Sequence, residues 1–333
     1  MPDLANELDV DPIQEIRLQH AGMSASILTC GAAIRDLIVP LRHGTRRVVL
    51  GFEGPESYRG NPANLGVVVG RCANRIADGR FVLDGREYRL PLNEKGRTHL
   101  HGGKPGFGHR PWRLMESGAA HVLFGIGSPD GDQGYPGRVD ATCRYTLTEA
   151  ATLRVELLAR TTAPSPVNLA QHSYFTLAES GDSRDLLLTI DADGYTPTDE
   201  RLIPTGAIAP VAGTPYDFRA PRPIGEAGQR YDINMVLRGG RGPLERAARV
   251  VSPGRDLAME LWTTEPGLQL YDSANLGPGA PGIDGQRHFP HAGLCLEPQR
   301  FPDSVNHAHF SPVVLRPGEE YHQVTEYRFS VPD

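Results

Sequence analysis

The sequence is divided into short β-prone segments by glycines and prolines that recur along its whole length. Its 333 residues include 38 glycines and 29 prolines, about a fifth of the chain, and these are scattered rather than clustered. Because both residue types favour turns and interrupt regular structure, this distribution predicts many turns and few long helices. All-β proteins of this length often form one unit, so we expect residues 1–333 to be a single domain.

A β-hairpin in residues 80–90 is the clearest local prediction. Two β-prone runs flank Asp84-Gly85, a pair that supplies the positive φ angles of a tight hairpin turn. Apolar and charged residues alternate in residues 153–158 and 257–262, which indicates strands with one solvated face. Further strand candidates are residues 48–50, 67–69, 143–147, 186–190 and 327–331. Their spacing predicts a large antiparallel β-sandwich with few, short helices.

Composition and motif content argue against several classes of function. The formal net charge is −6 and the sequence has no long basic run, so a nucleic-acid partner is not expected. Neither a Walker phosphate loop nor a Gly-x-Gly-x-x-Gly motif follows a predicted strand, which leaves ATP and dinucleotide cofactors without their usual signals. The first nine residues are acidic and contain no apolar stretch. We therefore expect neither a secretory signal nor a membrane span, and a cytoplasmic location.

The four cysteines are few for this length and lack the close spacing of metal or redox pairs. We expect Cys30, Cys72, Cys143 and Cys295 to be buried free thiols.

Two polar residues, 125 positions apart, lie in strand-like segments. His172 lies in residues 168–177 and shares a strand face with Tyr174. In the segment of Glu297, the two-residue period puts Leu294 and Leu296 on one face as anchors and Glu297 on the other. Glu297 closes an apolar run, where an unpaired buried carboxylate is costly, so either a cation neutralises it or it has a function. If the fold brings them together, they form a proton donor and acceptor that need no cofactor. For His172 alone, a core histidine bonded to a backbone carbonyl is the alternative.

Other candidate binding residues lie at strand ends and turns. Gln269 and Tyr271 share a strand face, and their amide and phenol groups match the donors and acceptors of sugar hydroxyls. Asn74 and Arg75 are suited to hold a hydroxyl-rich ligand through rigid donors. Asp232 is a further candidate. Each of these residues has a structural alternative: Gln269 and Tyr271 as a sheet-surface pair, Asn74 or Arg75 in a solvated ion pair, and Asp232 in an Asx turn.

The segment His99-Leu-His101-Gly-Gly has two interpretations. His-x-His on a strand places both imidazoles on one side, which suits a metal, and residues 307–309 repeat the spacing. Zinc usually has a third or fourth protein ligand with recognisable spacing, and the sequence offers no convincing set. We therefore expect no metal. Two glycines after His101 let the backbone approach a ligand, which favours a role for His101 in substrate binding.

Taken in order, seven pieces of the sequence resemble those of the aldose 1-epimerases, or galactose mutarotases. They are residues 70–76, 100–103, 134–137, 172–175, 231–232, Gln269 and residues 297–303, with residues 315–321 as a further match near the end. The resemblance extends over nearly the whole chain. It implies a mutarotase-type β-sandwich with an open cleft for a small-molecule sugar, and no metal or organic cofactor.

The resemblance also implies roles for the candidate residues. Glu297 matches the family's general base and His172 its general acid, so that Glu297 takes the proton of the anomeric hydroxyl while His172 protonates the ring oxygen. The ring then opens to the aldehyde, and rotation about C1–C2 before reclosure gives the other anomer. Ordinary pKa values of about 4.3 for Glu and about 6.5 for His suit these roles near neutrality. The remaining matches are a second active-site histidine, His101, and the substrate-binding positions Asn74, Arg75, Asp232 and Gln269.

Two positions depart from the family pattern. Ala170-Gln171 stands where Thr-Asn is common, and Asp132-Gln133 stands where Glu-Glu is common. Neither change removes a proton-transfer group, but both are expected to affect the shape of the cleft.

The leading hypothesis is an aldose 1-epimerase acting on free aldoses such as galactose or glucose, as a monomer or homodimer. The alternatives are an epimerase of a modified or phosphorylated sugar and a non-catalytic sugar-binding or regulatory protein.

Overall fold

The computed structural model describes residues 12–179 and 181–332 of the chain. Over these residues the regular structure is mainly antiparallel β-sheet, and the helices are short 3₁₀ segments of at most six residues. None of the helices in these two ranges is long and apolar enough to cross a membrane. Residues 1–9, which carried the expectation about a secretory signal, lie outside the described residues.

The strands are, in chain order, β1 (Glu15–His20), β2 (Met23–Leu28), β3 (Ile34–Pro40), β4 (Thr45–Arg47), β5 (Val68–Val69), β6 (Arg75–Ala77), β7 (Arg80–Leu83), β8 (Arg86–Arg89), β9 (Thr98–Leu100), β10 (Arg113–Ser117), β11 (His121–Ser128), β12 (Val139–Thr148), β13 (Thr152–Thr161), β14 (Ser165–Pro166), β15 (Ala170–Gln171), β16 (Tyr174–Phe175), β17 (Leu187–Ile190), β18 (Ala192–Tyr195), β19 (Ala209–Pro210), β20 (Arg222–Pro223), β21 (Asp232–Leu237), β22 (Glu245–Val251), β23 (Ala258–Thr263), β24 (Gly267–Tyr271), β25 (Leu294–Gln299), β26 (Val314–Leu315) and β27 (Tyr321–Ser330). The 3₁₀ helices are Pro55–Gly60, Phe107–His109, Asp132–Gly134, Ser183–Asp185, Ile224–Ala227, Ile283–Gly285 and Ser304–Asn306.

Two large sheets and one smaller sheet build the molecule. The nine-stranded sheet has the order β10-β11-β12-β13-β27-β23-β22-β17-β20, and the six-stranded sheet has the order β16-β25-β24-β21-β18-β19. A four-stranded meander, β1-β2-β3-β4, precedes them, and β14/β26, β15/β5, β6/β9 and β7/β8 form two-stranded pairs. The predicted strands at 143–147, 153–158, 186–190, 257–262 and 327–331 belong to the nine-stranded sheet, in all but a terminal residue or two.

One cluster of buried apolar residues joins the three larger sheets. It takes Ile27 from the four-stranded sheet, Leu157 from the nine-stranded sheet and Leu296 from the six-stranded sheet. The rings of Phe175 and Tyr327 meet across the two large sheets with centroids 4.8 Å apart. Alternate burial along a strand such as β13 follows the two-residue period, which confirms the predicted sandwich in which one face of each sheet packs inward.

The predicted hairpin is confirmed as β7 and β8. Asp84 and Gly85 form its turn with φ angles of 49° and 81°, as the sequence requires for a tight connection.

Two strand predictions are wrong in detail. Residues 48–50 are not a strand, because β4 ends at Arg47 and Val49 makes only an isolated bridge to Phe175. The apolar run there is buried, and its backbone hydrogen bonds to Leu37, Tyr174 and Thr176 do not extend into a regular strand. Residues 168–177 are also not continuous: β15 pairs with β5, β16 pairs with β25, and His172 lies in the gap between them. The reason is that the chain passes from one sheet to another at this point.

Candidate active site

A cavity of about 340 Å³ opens beside the six-stranded sheet, a size in the range of small-molecule sites. Six of the seven predicted site residues line it, and Gln269 does not. Tyr174 and Tyr271 form part of its wall. The polar and charged members of the lining are Asn64, Asn74, Arg75, Glu94, His101, His172, Asp232, Asn275, His288 and Glu297.

Register in the six-stranded sheet places three candidates close together. Glu297 on β25 is the Cα partner of Gln269 on β24, and Asp232 begins the next strand, β21, opposite Tyr271. As predicted from strand parity, Leu294 and Leu296 face the core. Because side chains on one face of neighbouring strands are adjacent, this register brings residues far apart in sequence to one wall of the cavity.

Glu297 is the least satisfied carboxylate of the cavity wall. Its side chain is 3% exposed, and its Oε2 has no hydrogen-bond partner among the described residues. Burial raises the pKa of Glu297 well above its ordinary value, and the negative charge of Asp232 raises it further, while Arg75 acts in the opposite direction. Its Oε1 lies 3.7 Å from Nε2 of His172. The carboxylate is thus available to a proton donor inside the cavity.

His172 is held by its backbone and by ring contacts. Its ring stacks on Tyr174 with centroids 5.2 Å apart and meets His101 edge-on at 5.3 Å. Burial lowers the pKa of His172 to about 4. Nδ1 has no hydrogen-bond partner among the described residues, so the alternative of a core histidine bonded to a carbonyl is not supported. The imidazole instead faces Glu297 across a short gap.

His101 presents a hydrogen-bond donor to the cavity. Its Nδ1 accepts the backbone N–H of Asn74 at 3.1 Å. Burial lowers the pKa of His101 well below its ordinary value, and His172 and Arg75 lower it further, so the ring is neutral. A neutral imidazole that accepts at Nδ1 carries its proton on Nε2, and that nitrogen is therefore a donor.

Arg75 joins two carboxylates at the wall of the cavity. Its Nε and one terminal nitrogen bind Glu94 at 2.8 and 2.9 Å, and Asp232 lies 3.4 Å away. Burial lowers the pKa of Arg75, but Asp232 and Glu94 outweigh that effect and raise it. The predicted ion pair is therefore present, but at 9% side-chain exposure of the arginine it is a buried feature of the site rather than a solvated one.

Gln269 lies behind this wall and orients Asp232. Its Nε2 donates to Oδ1 of Asp232 at 2.6 Å, and Gln299 donates to its Oε1 at 3.4 Å. Asp232 is thereby placed by side-chain bonds to Gln269 and Arg75, beyond what an Asx turn would provide. Direct contact between Gln269 and substrate stays a prediction.

The two histidines of the His-x-His segment point to different surroundings. The chain turns at His101, where φ is 51°. His99 instead places Nδ1 2.8 Å from the carbonyl oxygen of Pro91 and packs against Tyr135. In residues 12–179 and 181–332 there is no group of three or more His, Cys, Asp or Glu side chains that could hold a metal ion. The metal interpretation of this segment is therefore not supported.

The four cysteines are buried and free, as predicted.

Sequence reasoning missed several residues of the cavity. Glu94 belongs to no recognised motif, and its contact with Arg75 joins positions 19 residues apart, with the β7/β8 hairpin between them. Gly277, Pro278 and Gly279 also line the cavity, from an exposed stretch without regular structure. Phe52 and His288 also contribute, and their rings lie 5.3 Å apart. Only the folded arrangement brings these segments together.

Comparison with known proteins gives one consistent result. The sequence model of the aldose 1-epimerase family matches residues 14–328. A galactose mutarotase from Bos taurus is 41% identical over 334 residues, which cover 97% of this chain and 96% of the bovine protein. An aldose 1-epimerase from Escherichia coli (strain K12) is 38% identical over 335 residues, with 96% of each chain covered.

Solved structures agree with the sequence matches. An aldose epimerase homologue from C. elegans superposes with a TM-score of 0.92 at 29% identity, covering 97% of this chain and 100% of that chain. A galactose 1-epimerase from Lactobacillus acidophilus NCFM gives a TM-score of 0.85 at 27% identity, covering 99% of this chain and 98% of that chain.

The fold and the matches together define an enzyme of the isomerase class with a mutarotase-type β-sandwich. The chain belongs to the aldose 1-epimerase family. The family, fold and aldose 1-epimerase activity predicted from the sequence are confirmed by these matches.

Proposed function

We propose that this enzyme interconverts the α and β anomers of unphosphorylated aldoses such as galactose or glucose, with Glu297 as general base and His172 as general acid. The observation that carries the assignment is the 3.7 Å approach of a buried, incompletely bonded carboxylate to a buried imidazole at the wall of one cavity. The names of the relatives, galactose mutarotase and aldose 1-epimerase, support the choice of substrate class.

The proton inventory of the pair fits a reversible ring opening. Glu297 takes the proton of the anomeric hydroxyl while His172 gives a proton to the ring oxygen, so the pair holds one proton before and after the step. Burial favours the neutral form of both groups in the empty cavity. Sugar hydroxyls that donate to the carboxylate and accept from the imidazolium favour the charged arrangement that starts the reaction. After rotation about C1–C2, the same two transfers run in reverse and close the ring.

Neighbouring groups are placed to bind the sugar oxygens. We assign Nε2 of His101 as a donor and Arg75 as a fixed cation, both of which stabilise negative charge that develops on those oxygens. Asp232 supplies an acceptor for hydroxyl groups, and Asn74 supplies an amide. Their contacts with a sugar are part of the proposal.

Polarimetry on the purified full-length enzyme tests the function directly. Catalytic amounts are expected to accelerate the change in optical rotation of freshly dissolved α-galactose, beyond the spontaneous rate measured in the same buffer. Anomer-resolved NMR should report the same rate. Saturable sugar binding without acceleration would instead establish the non-catalytic alternative.

We expect a phosphorylated sugar to be a poor substrate. Among the described lining residues, Arg75 is the one Arg or Lys side chain, and it already binds two of the three carboxylates there, which are Glu94, Asp232 and Glu297. A phosphate would add negative charge to a site without a free cation, and like-charge contacts cost several kcal/mol. The kcat/KM for galactose 6-phosphate should therefore be at least about 100-fold below that for galactose. Equal values would favour the sugar-phosphate alternative.

The pH dependence should show a wide plateau. At very low pH both His172 and Glu297 carry a proton. The lowered pKa of His172, about 4, means that the pair has lost one of these two protons by about pH 5, and the raised pKa of Glu297 means that the remaining proton is lost only at higher pH. We therefore expect kcat/KM to stay constant, within about twofold, from about pH 5 to about pH 7.5. With an ordinary histidine pKa of about 6.5, activity would fall about tenfold by pH 7.5. Buffer-corrected polarimetry across this range decides between the two profiles.

We further propose that the chain works as a single domain, as a monomer or homodimer in the cytoplasm, without nucleic-acid or membrane partners. The core that the three larger sheets share supports one domain. The net charge of −6 argues against a nucleic-acid partner, whose phosphate backbone is itself negatively charged. Size-exclusion chromatography with light scattering measures the oligomeric state.

A further inference from the structure

The imidazole of His172 lacks the side-chain hydrogen bond that orients many catalytic histidines. Its Nδ1 has no partner among the described residues, and Nε2 lies 3.7 Å from the carboxylate, beyond ordinary hydrogen-bond length. His172 also sits between two short strands that pair with different partners, so the continuous ladder of a sheet does not fix it. Something else must hold this residue in place.

The backbone of His172 is bonded on both sides to one neighbouring segment. Its N–H donates to the carbonyl oxygen of Val67, and its carbonyl oxygen accepts the N–H of Gly66, both at 2.9 Å. These two bonds make the position of His172 depend on the position of residues 66–67.

The side-chain amide of Gln171 locks the same two segments together. Its Nε2 donates to the carbonyl oxygen of Gly66 at 2.8 Å, and its Oε1 accepts the backbone N–H of Ser173 at 2.9 Å. Gln171 is 3% exposed, so neither bond competes with bulk water. One buried amide thus links Ser173, the residue after His172, to residues 66–67, which bind the His172 backbone.

We propose that Gln171 is a positioning residue that holds the imidazole of His172 at the distance from Glu297 that proton transfer requires. This inference rests on the proposed function, since it assigns Gln171 a part in the same acid–base step. Gln171 is not among the described residues that line the cavity. We call the two side-chain bonds of Gln171, to the Gly66 carbonyl oxygen and from the Ser173 N–H, the Gln171 clamp.

Gln171→Met tests the clamp, because methionine matches the length of glutamine and removes both amide bonds. A misplacement of about 1 Å in an active site costs up to about 10²-fold in rate, so kcat should fall on the order of 10- to 100-fold.

Ser252→Ala is the matched control. Ser252 is 1% exposed, and its Oγ accepts the N–H groups of Asp256 and Leu257 and donates to the carboxylate of Asp256, in a turn that does not line the cavity. Its replacement removes the three hydrogen bonds of a buried side chain. A lower Tm with kcat within about twofold of wild type is expected. If Gln171→Met lowers kcat no more than this control at a matched loss of Tm, the positioning role is overturned.

An NMR titration of the substrate-free protein separates this proposal from the proposed function. The ring ¹⁵N shifts of His172 should titrate near the pKa of about 4 in the wild type and at higher pH in Gln171→Met, where a displaced ring gains water. Unchanged His172 resonances in Gln171→Met would overturn the positioning role, whatever the activity. A wild-type protein without mutarotase activity would instead overturn the proposed function, and a shifted titration would still support the clamp.

Discussion

Glu297→Gln is expected to lower kcat for galactose mutarotation by on the order of 10²–10⁴-fold, the contribution of a positioned general base. The substitution keeps the size of the side chain and removes its ability to accept the anomeric proton. Because burial already disfavours the charged form of Glu297, a neutral amide should leave the Tm unchanged or raise it. Loss of rate without loss of stability is therefore the expected signature, measured by polarimetry and thermal unfolding.

Glu265→Gln is the matched control for a buried glutamate. Glu265 is 1% exposed, burial raises its pKa to about 7, and it does not line the cavity. Its replacement should leave kcat within about twofold of wild type. Full activity in Glu297→Gln would refute the assignment of the base, whereas equal losses in both variants would indicate a structural effect.

His172→Ala is expected to lower kcat by a similar 10²–10⁴-fold, since the ring oxygen then leaves without a positioned acid. His172→Gln should be comparably slow, because glutamine fills much of the space but cannot donate an ionisable proton. The double variant with Glu297→Gln should be little slower than either single variant. When two groups act as one unit, removal of either group already abolishes their joint effect. Polarimetry on the three variants measures this coupling.

Multiplicative losses in the double variant would contradict a concerted pair. They would indicate that Glu297 and His172 contribute to separate steps despite the 3.7 Å between them. High activity in His172→Gln would likewise exclude proton donation by this residue.

The part of the site that lies on regular strands was predictable from the sequence. The two-residue period put Leu294 and Leu296 in the core and Glu297 on the opposite face, and the structure places Glu297 on the cavity wall. The same period paired Gln269 with Tyr271, but it could not predict that Gln269 lies behind Asp232, because strand register depends on partners distant in sequence.

The parts that depend on non-local contacts were not predictable. His172 lies where the chain leaves one sheet for another, and no local pattern marks such a change of partner. Glu94, which precedes the turn at residues 95–97, belongs to no motif that would predict its contact with Arg75. The ordinary pKa values used for Glu297 and His172 were also inadequate, because desolvation depends on burial that only the complete fold establishes.

The cavity combines two kinds of wall with different capacities for evolutionary change. Glu297 and Asp232 lie on hydrogen-bonded strands of the six-stranded sheet, while residues 62–65 and 275–279 reach the same cavity from irregular segments. Loops tolerate substitution and insertion far better than strands fixed by ladder bonds on both sides. Descendants of this enzyme can therefore remodel these segments, and with them the shape of the cavity, while keeping in place the strand residue, Glu297, that we propose transfers a proton.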